Sequence, residues 1–272
     1  MKTKWTKEEM QILTTNYGKI LSKEIQKLLP TRSVVAISIK AKELGLKGDP
    51  SITRRIYGVN DNYFNAPSNE NCYWAGFIAA DGNIHSKKKR LLRLKLQEKD
   101  KNHLEKYIKC LNFSGHISTI KNNNTNKTYF EVDIFSEKIV DDLKKHFNIV
   151  PKKTEILKVP NLVKEAHIMS YIIGYIDGDG CISYEIPKHG NDRLRLHIIA
   201  NNNILEWIKL HLDPVSHSNS VIRRIKKSKH SYEYSLGSEP ALNVLKLLNT
   251  IDVPKMERKW IKVTKFIEAY NV

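Results

Sequence analysis

The chain has 272 residues, with 46 Lys plus Arg against 29 Asp plus Glu, for a formal net charge of +17. Hydrophobic residues make up 40% while Gly and Pro number only 12 and 9, which excludes a disordered or collagen-like chain and leaves room for one or two cores. No run approaches the roughly 20 apolar residues of a membrane span, and the start MKTKWTKEEM lacks the apolar segment of a secretory signal. Neither a membrane nor export is therefore expected. Cys72, Cys110 and Cys181 are scattered without CxxC spacing, so they fit neither a disulfide framework nor a zinc site, and a reducing compartment is expected. The excess positive charge points to a polyanionic partner, of which nucleic acid is the commonest.

Residues 1–48 read as three short helices. Thr6 to Glu9 has capping-box spacing and is followed by Met10, Leu13 and Tyr17 at helical intervals, with Gly18 as the stop. Ser22 is the expected cap of a second helix carrying Ile25, Leu28 and Leu29, which Pro30 ends. A third runs from about Ser33 to Leu44, with Val34, Ile37, Ala41 and Leu44 on one stripe and Gly45 beyond it. This is the layout of a helix-turn-helix unit, whose last helix enters the major groove. Arg32, Ser38 and Lys42 lie off the core stripe and are the candidate DNA contacts. Helix count alone also fits a helical protein-interaction domain.

Residues 49–70 read as a polar linker that includes Arg54 and Arg55. Beyond it the chain repeats itself. Trp74–Gly82 (WAGFIAADG) and Ile172–Gly180 (IIGYIDGDG) are both apolar helical stretches ending in Asp-Gly, with Asp81 and Asp179 98 residues apart. Each is followed by alternating runs. Leu92, Leu94 and Leu96 alternate with Arg93, Lys95 and Gln97 in the first half; Leu194, Leu196 and Ile198 alternate with Arg193, Arg195 and His197 in the second. Such alternation predicts half-buried strands, here with a basic polar face in both halves. The expectation is an α+β duplication, αββαββα twice with pseudo-twofold symmetry, over residues 71–160 and 161–272. Val150–Glu165 connects the halves, and a small all-α unit precedes both.

Gly76 with Ala80 and Gly174 with Gly178 are spaced four apart, so small residues line one face of each predicted helix and permit close packing. If those faces meet, Asp81 and Asp179 become neighbours. Paired carboxylates are unfavourable without a cation between them, and hard oxygen ligands favour Mg²⁺ or Mn²⁺ over zinc. The competing reading, that the aspartates merely end helices, is weak because Asp opposes the macrodipole at a helix C-terminus.

The two segments resemble the paired motifs of LAGLIDADG homing endonucleases in their single-chain, two-repeat form. Tyr57–Phe64 running into Tyr73-Trp74 is similar to phage-encoded members. Trp5 to Leu46 resembles the Myb/SANT-like helix-turn-helix domains attached to phage DNA enzymes. The resemblance implies a sequence-specific double-strand endonuclease that is metal-dependent and leaves short 3′ overhangs. Mg²⁺ is the implied cofactor, with Mn²⁺ able to substitute. Asp81 and Asp179 are the implied metal ligands and catalytic carboxylates, with the carbonyls of Ala80 and Gly178 beside them. Gln97 is the implied water-positioning residue of the first half. The second half has Ala200-Asn201-Asn202 at that place, and Lys227 is the substitute candidate.

By the same resemblance Arg93, Lys95, Arg193, Arg195, His197 and Arg223 read DNA from the concave sheets, against the plainer reading of solvated strand faces. The basic runs Lys87–Arg90 and Arg223–Lys227 suit phosphates. The expected partner is duplex DNA with a long specific site, bound by a monomer in the cytoplasm of a bacterial host cell, associated with the nucleoid. An intron RNA maturase and a non-cleaving DNA-binding regulator are the alternatives, and intron RNA is their possible second partner.

Overall fold

The structure is a computed structural model and describes residues 4–48, 52, 56–86, 90–122, 125–185, 192–226, 228 and 230–270. Three helices open the chain: α1 (Lys7–Asn16), α2 (Ser22–Leu28) and α3 (Val34–Glu43). Helix α1 starts where the capping box requires. The Thr6 hydroxyl accepts from the Glu9 amide at 3.2 Å and the Glu9 carboxylate accepts from the Thr6 amide at 2.9 Å. Ser33 caps α3 by accepting from the Ala36 amide at 3.2 Å, and Gly45, just past the end of α3, takes a left-handed φ of +67°. Helix α2 departs from expectation, because its N-cap is Leu21 with no side-chain bond and Ser22 lies inside the helix. Leu13, Ile25, Leu29, Ile37 and Ala41 form a small core of their own. Leu28 and Leu44, expected in that core, are 50% and 39% exposed.

The segment expected as a linker divides. Residues 49–51 and Arg54–Arg55 lie outside the described residues. From 56 onward the chain runs along the first repeat: the Asn60 amide donates to the Leu111 carbonyl at 2.8 Å, the Gly58 amide to the Ser114 hydroxyl at 2.7 Å, and Phe64 is fully buried in the main core. Helix α4 (Asn69–Asp81) begins at a second capping box, Ser68 with Asn71.

After α4 come β1 (Gly82–Ile84), β2 (Leu91–Gln97), α5 (Lys101–Cys110), β3 (Ser118–Asn122), β4 (Lys127–Phe135) and α6 (Glu137–Phe147). A short turn, α7 (Lys153–Ile156), leads to the second round: α8 (Glu165–Asp179), β5 (Gly180–Glu185), β6 (Arg193–Ala200), α9 (Asn202–Ser216), β7 (Arg223–Arg224), β8 (Tyr232–Gly237) and α10 (Ser238–Thr250). The strand orders are β1-β2-β4-β3 and β5-β6-β8-β7, antiparallel throughout, so the two rounds share one topology.

Alternation works as read. Leu92, Leu94 and Leu96, and Leu194, Leu196 and Ile198, are buried beneath covering helices, while Arg93, Lys95, Gln97, Arg193, Arg195 and His197 stand on the open faces. One continuous core spans both rounds. A further helix, α11 (Glu257–Tyr270), lies beyond the symmetric template and buries Trp260, Val263 and Phe266. No helix among the described residues is long and apolar enough to cross a membrane.

Candidate active site and nucleic-acid interface

The site is built by the closeness of α4 and α8. A Cβ placed on Gly76 would lie 2.0 Å from the Tyr171 carbonyl oxygen, and one on Gly174 would lie 1.9 Å from that of Tyr73. Tyr73 and Tyr171 each precede the glycine of their own helix by three residues, so the contact is reciprocal, as a pseudo-twofold axis demands. Only an absent side chain permits backbones this near. Farther along, a Cβ on Gly178 would meet the Ala80 Cβ at 2.3 Å, so the helices stay together to their C-terminal ends. Asp81 and Asp179 are the last residues of the two helices.

Both aspartates open to solvent, yet protein crowds their carboxylates. Burial, then the charge of Asp179, pushes Asp81 up to about 6, against the opposing pull of Lys259 and Lys153. Burial likewise raises Asp179, with Lys153 and Lys259 again opposing. These two lysines were not singled out in the sequence. The Lys153 ammonium donates to the Ala80 carbonyl at 2.7 Å. The Lys259 ammonium, itself 6% exposed, donates to the carbonyls of Ile176, Asp177 and Gly180 at 2.9, 2.6 and 2.6 Å, and reaches that of Gly178 at 3.4 Å. A cation at a helix C-terminus adds a donor for the last carbonyls, although that of Ile176 also accepts from the Gly180 amide. Lys153 follows Val150-Pro151, and Lys259 comes from α11, so no periodicity of the motif helices signals either one.

The two carboxylates are hard oxygen donors, and the adjacent Ala80 and Gly178 carbonyls are too, although Lys153 and Lys259 already reach them. Mg²⁺ typically binds through one or two carboxylates and completes its shell with water and phosphate, so the donor set fits. A cage made by protein alone is absent among the described residues, where no three His, Cys, Asp or Glu side chains converge.

Position six of the motif differs between halves. Ala79 is buried apolar surface, while Asp177 is a buried carboxylate that accepts from the Tyr73 hydroxyl at 2.7 Å, the Met256 amide at 2.8 Å and the Trp260 indole N–H at 2.8 Å. Burial pushes it up to about 6 against those donors and Lys259. Asp177 thus ties α8 to α4 and α11.

Gln97 ends β2, exposed on the open face. Strand register makes Asn201 its counterpart, and Asn201 is committed elsewhere: its carbonyl oxygen caps α9 at the Ile204 amide and its amide group donates to the Leu157 carbonyl at 2.9 Å. Lys227, offered as the substitute, and Lys87–Lys89 lie outside the described residues.

On the open faces the expected basic surface is only part of the picture, because neighbouring strands bring acids. Arg93 forms a fork with Asp133 at 2.7 Å for both bonds and reaches Glu131 at 3.2 Å. Arg193 and Arg195 both lie 3.1 Å from Glu185, and His197 lies 3.4 Å from Glu233. Lys95 stands over the Tyr129 ring at 4.7 Å. Arg223 is exposed on edge strand β7, in register with Glu233.

In the N-terminal unit the three candidates separate. Arg32 is 8% exposed, bonded to the Glu9 carboxylate at 2.8 and 2.7 Å and to the Lys4 carbonyl at 2.6 Å, and stacked on Trp5 at 4.6 Å. It is a structural pin rather than a surface contact, because its guanidinium is consumed by closing α1 onto the turn before α3. Ser38 and Lys42 are exposed on α3, although the Ser38 hydroxyl donates to the Val34 carbonyl at 3.0 Å.

A comparison with curated proteins returns no match. Among solved structures the chain is similar to meganuclease I-AabMI bound to uncleaved DNA, at 16% identity and a TM-score of 0.48, over 73% of this chain and 89% of that one. It is similar also to meganuclease I-SmaMI bound to uncleaveable DNA, at 13% identity and TM-score 0.49, over 74% and 91%. A third is the I-LtrWI LAGLIDADG homing endonuclease bound to target DNA, at 16% identity and TM-score 0.46, over 78% and 92%. Residues 68–148, from the cap of α4 to the end of α6, match the family model of a LAGLIDADG-like domain.

Proposed function

We propose that the chain is a sequence-specific double-strand DNA endonuclease whose chemistry resides at Asp81 and Asp179. The observation that carries this reading is the pairing of two carboxylates at the joined ends of two duplicated helices, each leading directly into a sheet with an outward polar face. The match of the first repeat to a LAGLIDADG-like domain supports it. One carboxylate per half suits a task done twice, once on each strand, and a single chain then needs no partner subunit.

Divalent metal, Mg²⁺ or in its place Mn²⁺, would be held by Asp81 and Asp179 with the Ala80 and Gly178 carbonyls. When bound it would supply an activated water and neutralise charge at the leaving oxygen. The chain's own residues prepare that chemistry. Lys153 and Lys259 hold the helix ends and offset the mutual repulsion of the carboxylates. Gln97, at the rim of the first half, orients water by hydrogen bonding, and the second half relies on another residue because Asn201 is committed to its cap. Arg93, Lys95, Arg193, Arg195, His197 and Arg223 face the DNA, and the exposed side of α3, with Ser38 and Lys42, extends the footprint. Cleavage leaves short 3′ overhangs.

The test is a cleavage-site selection from random duplex DNA with Mg²⁺, followed by Asp81→Asn and Asp179→Asn on the selected target. Removing an electrostatic group that acts on the transition state typically costs on the order of 10²-fold or more. Each variant should lose double-strand cutting while still binding in a gel shift, and residual nicking is compatible with one intact half. Linear product at the normal rate from either variant would overturn the assignment.

A further inference from the structure

The open sheet faces carry acids that the basic alternation of β2 and β6 does not reveal, and the acids are arranged. Each lies on a strand beside the basic residue it meets: Asp133 and Glu131 on β4 against Arg93 of β2, Glu185 on β5 against Arg193 and Arg195 of β6, Glu233 on β8 against His197. Apart from Glu131, whose side chain is 12% exposed, these pairs are shallow. The Arg93, Arg193 and Arg195 side chains are 40%, 41% and 51% exposed, and Asp133 and Glu185 are 32% and 35% exposed. Pairs this open contribute only about 0–1 kcal/mol to stability, too little for folding to explain their repetition on both faces.

We infer that Asp133 and Glu185 are specificity-determining residues that hold the arginines of each sheet in fixed orientation and turn them away from phosphate. The inference rests on the reading of these faces as the DNA-binding surface. To grip a phosphate, Arg93 must leave the Asp133 fork or bring a second anion beside the first, and either costs free energy in the bound state. A base edge exacts no such cost. Guanine offers neutral acceptors to a guanidinium already oriented by its fork, and a carboxylate beside it accepts from the amino group of cytosine or adenine. An arginine paired in this way loses its general attraction to DNA and keeps its attraction to a matching base pair. Specificity then comes from weakening wrong partners as much as from strengthening the right one.

The experiment compares Asp133→Asn and Glu185→Gln with wild type on a random-sequence duplex and on the duplex recovered by selection. Glu105→Gln serves as control, since it removes the same charge from the Lys101–Glu105 pair on the covering helix α5, away from the open face. Both face variants should bind the random duplex several-fold more tightly than wild type. Their salt slope should steepen by about 0.9 for each arginine released onto phosphate. The sequences they select should be broader, and Asp133→Glu should restore much of the discrimination. The control should leave the selected sequences unchanged. Equal random-duplex affinity and an unchanged selection profile would overturn the inference. So would weaker binding to every duplex together with a lowered melting temperature, which would make the acids simple sheet supports. If wild type binds no duplex at all, the endonuclease reading falls and this one with it; if wild type binds and cuts while the variants match it, only this inference falls.

Discussion

A methyl group on Gly76 or Gly174 would have to occupy the position of a facing carbonyl oxygen, 2.0 or 1.9 Å away. Backbone cannot yield as a flexible side-chain tip can. Gly76→Ala and Gly174→Ala should each therefore cost at or above the upper end of the ~1–3 kcal/mol usual for overpacking, read by chemical denaturation. The GxxxA and GxxxG spacing made this closeness legible, since i and i+4 share a helix face whatever the rest of the chain does. His103 is a residue whose role was not legible. It is 4% exposed, 2.8 Å from the Tyr73 hydroxyl and packed at a tilt against Trp74 and Phe77, and burial, reinforced by Lys106 and partly offset by Asp100, pushes it down to about 3. The folded protein keeps it neutral, while the unfolded chain protonates it below about 6.5. Its contribution is thus complete above that pH and is lost as pH falls toward 3. Between pH 7 and pH 5 wild type should lose about 2 kcal/mol more stability than His103→Gln. Equal pH slopes for the two proteins in urea titrations would contradict the assignment.

Helices obeyed their local signals where those signals were complete. A capping box, a serine cap and Gly45 bounded α1 and α3, and alternating leucines set which faces of β2 and β6 were buried. Two elements show the limit. In the N-terminal unit Arg32 sits off the apolar stripe, as a surface residue would, but the Glu9 side chain that caps α1 also captures its guanidinium, a contact 23 residues distant in sequence. Arg32→Ala should accordingly unfold residues 4–48 as judged by helical signal of that unit, whereas Lys42→Ala should leave the fold intact and lower DNA affinity alone. The other element is α11, which falls outside the repeated template. Its Lys259 holds carbonyls at the end of α8 and its Trp260 serves Asp177. Lys259→Met keeps length but removes the ammonium from the Asp177 carbonyl, and a buried carbonyl left unpaired costs about 1–3 kcal/mol. A clear drop in melting temperature should accompany loss of cutting; a variant as stable as wild type would mean that water replaces the ammonium.

For the molecule as a whole, the proposed division of labour places recognition of flanking DNA in residues 1–48 and the chemistry in the duplicated unit. Deletion of 1–48 should weaken binding through lost effective concentration and leave the cut position unchanged, with footprints differing on one flank only. An unchanged footprint would remove the N-terminal unit from the interface. The salt slope of the full chain should be shallower than the number of Lys and Arg on the open faces suggests, because Arg93, Arg193 and Arg195 are already paired with acids there.

Sequence alone determined the duplication, the α+β class and the small-residue faces through which the two motif helices could meet. Each follows from periodicity or from a spacing within one helix, and such relations survive whatever the chain does elsewhere. Tertiary structure decided which charges are available. Strand register sets Asp133 beside Arg93 and Glu185 beside Arg193 and Arg195, and helix packing brings Lys153 and Lys259 to the motif ends. Those neighbours come from segments separated by tens of residues, so their electrostatics, acting through space rather than along the chain, exist only once the sheets and helices are assembled.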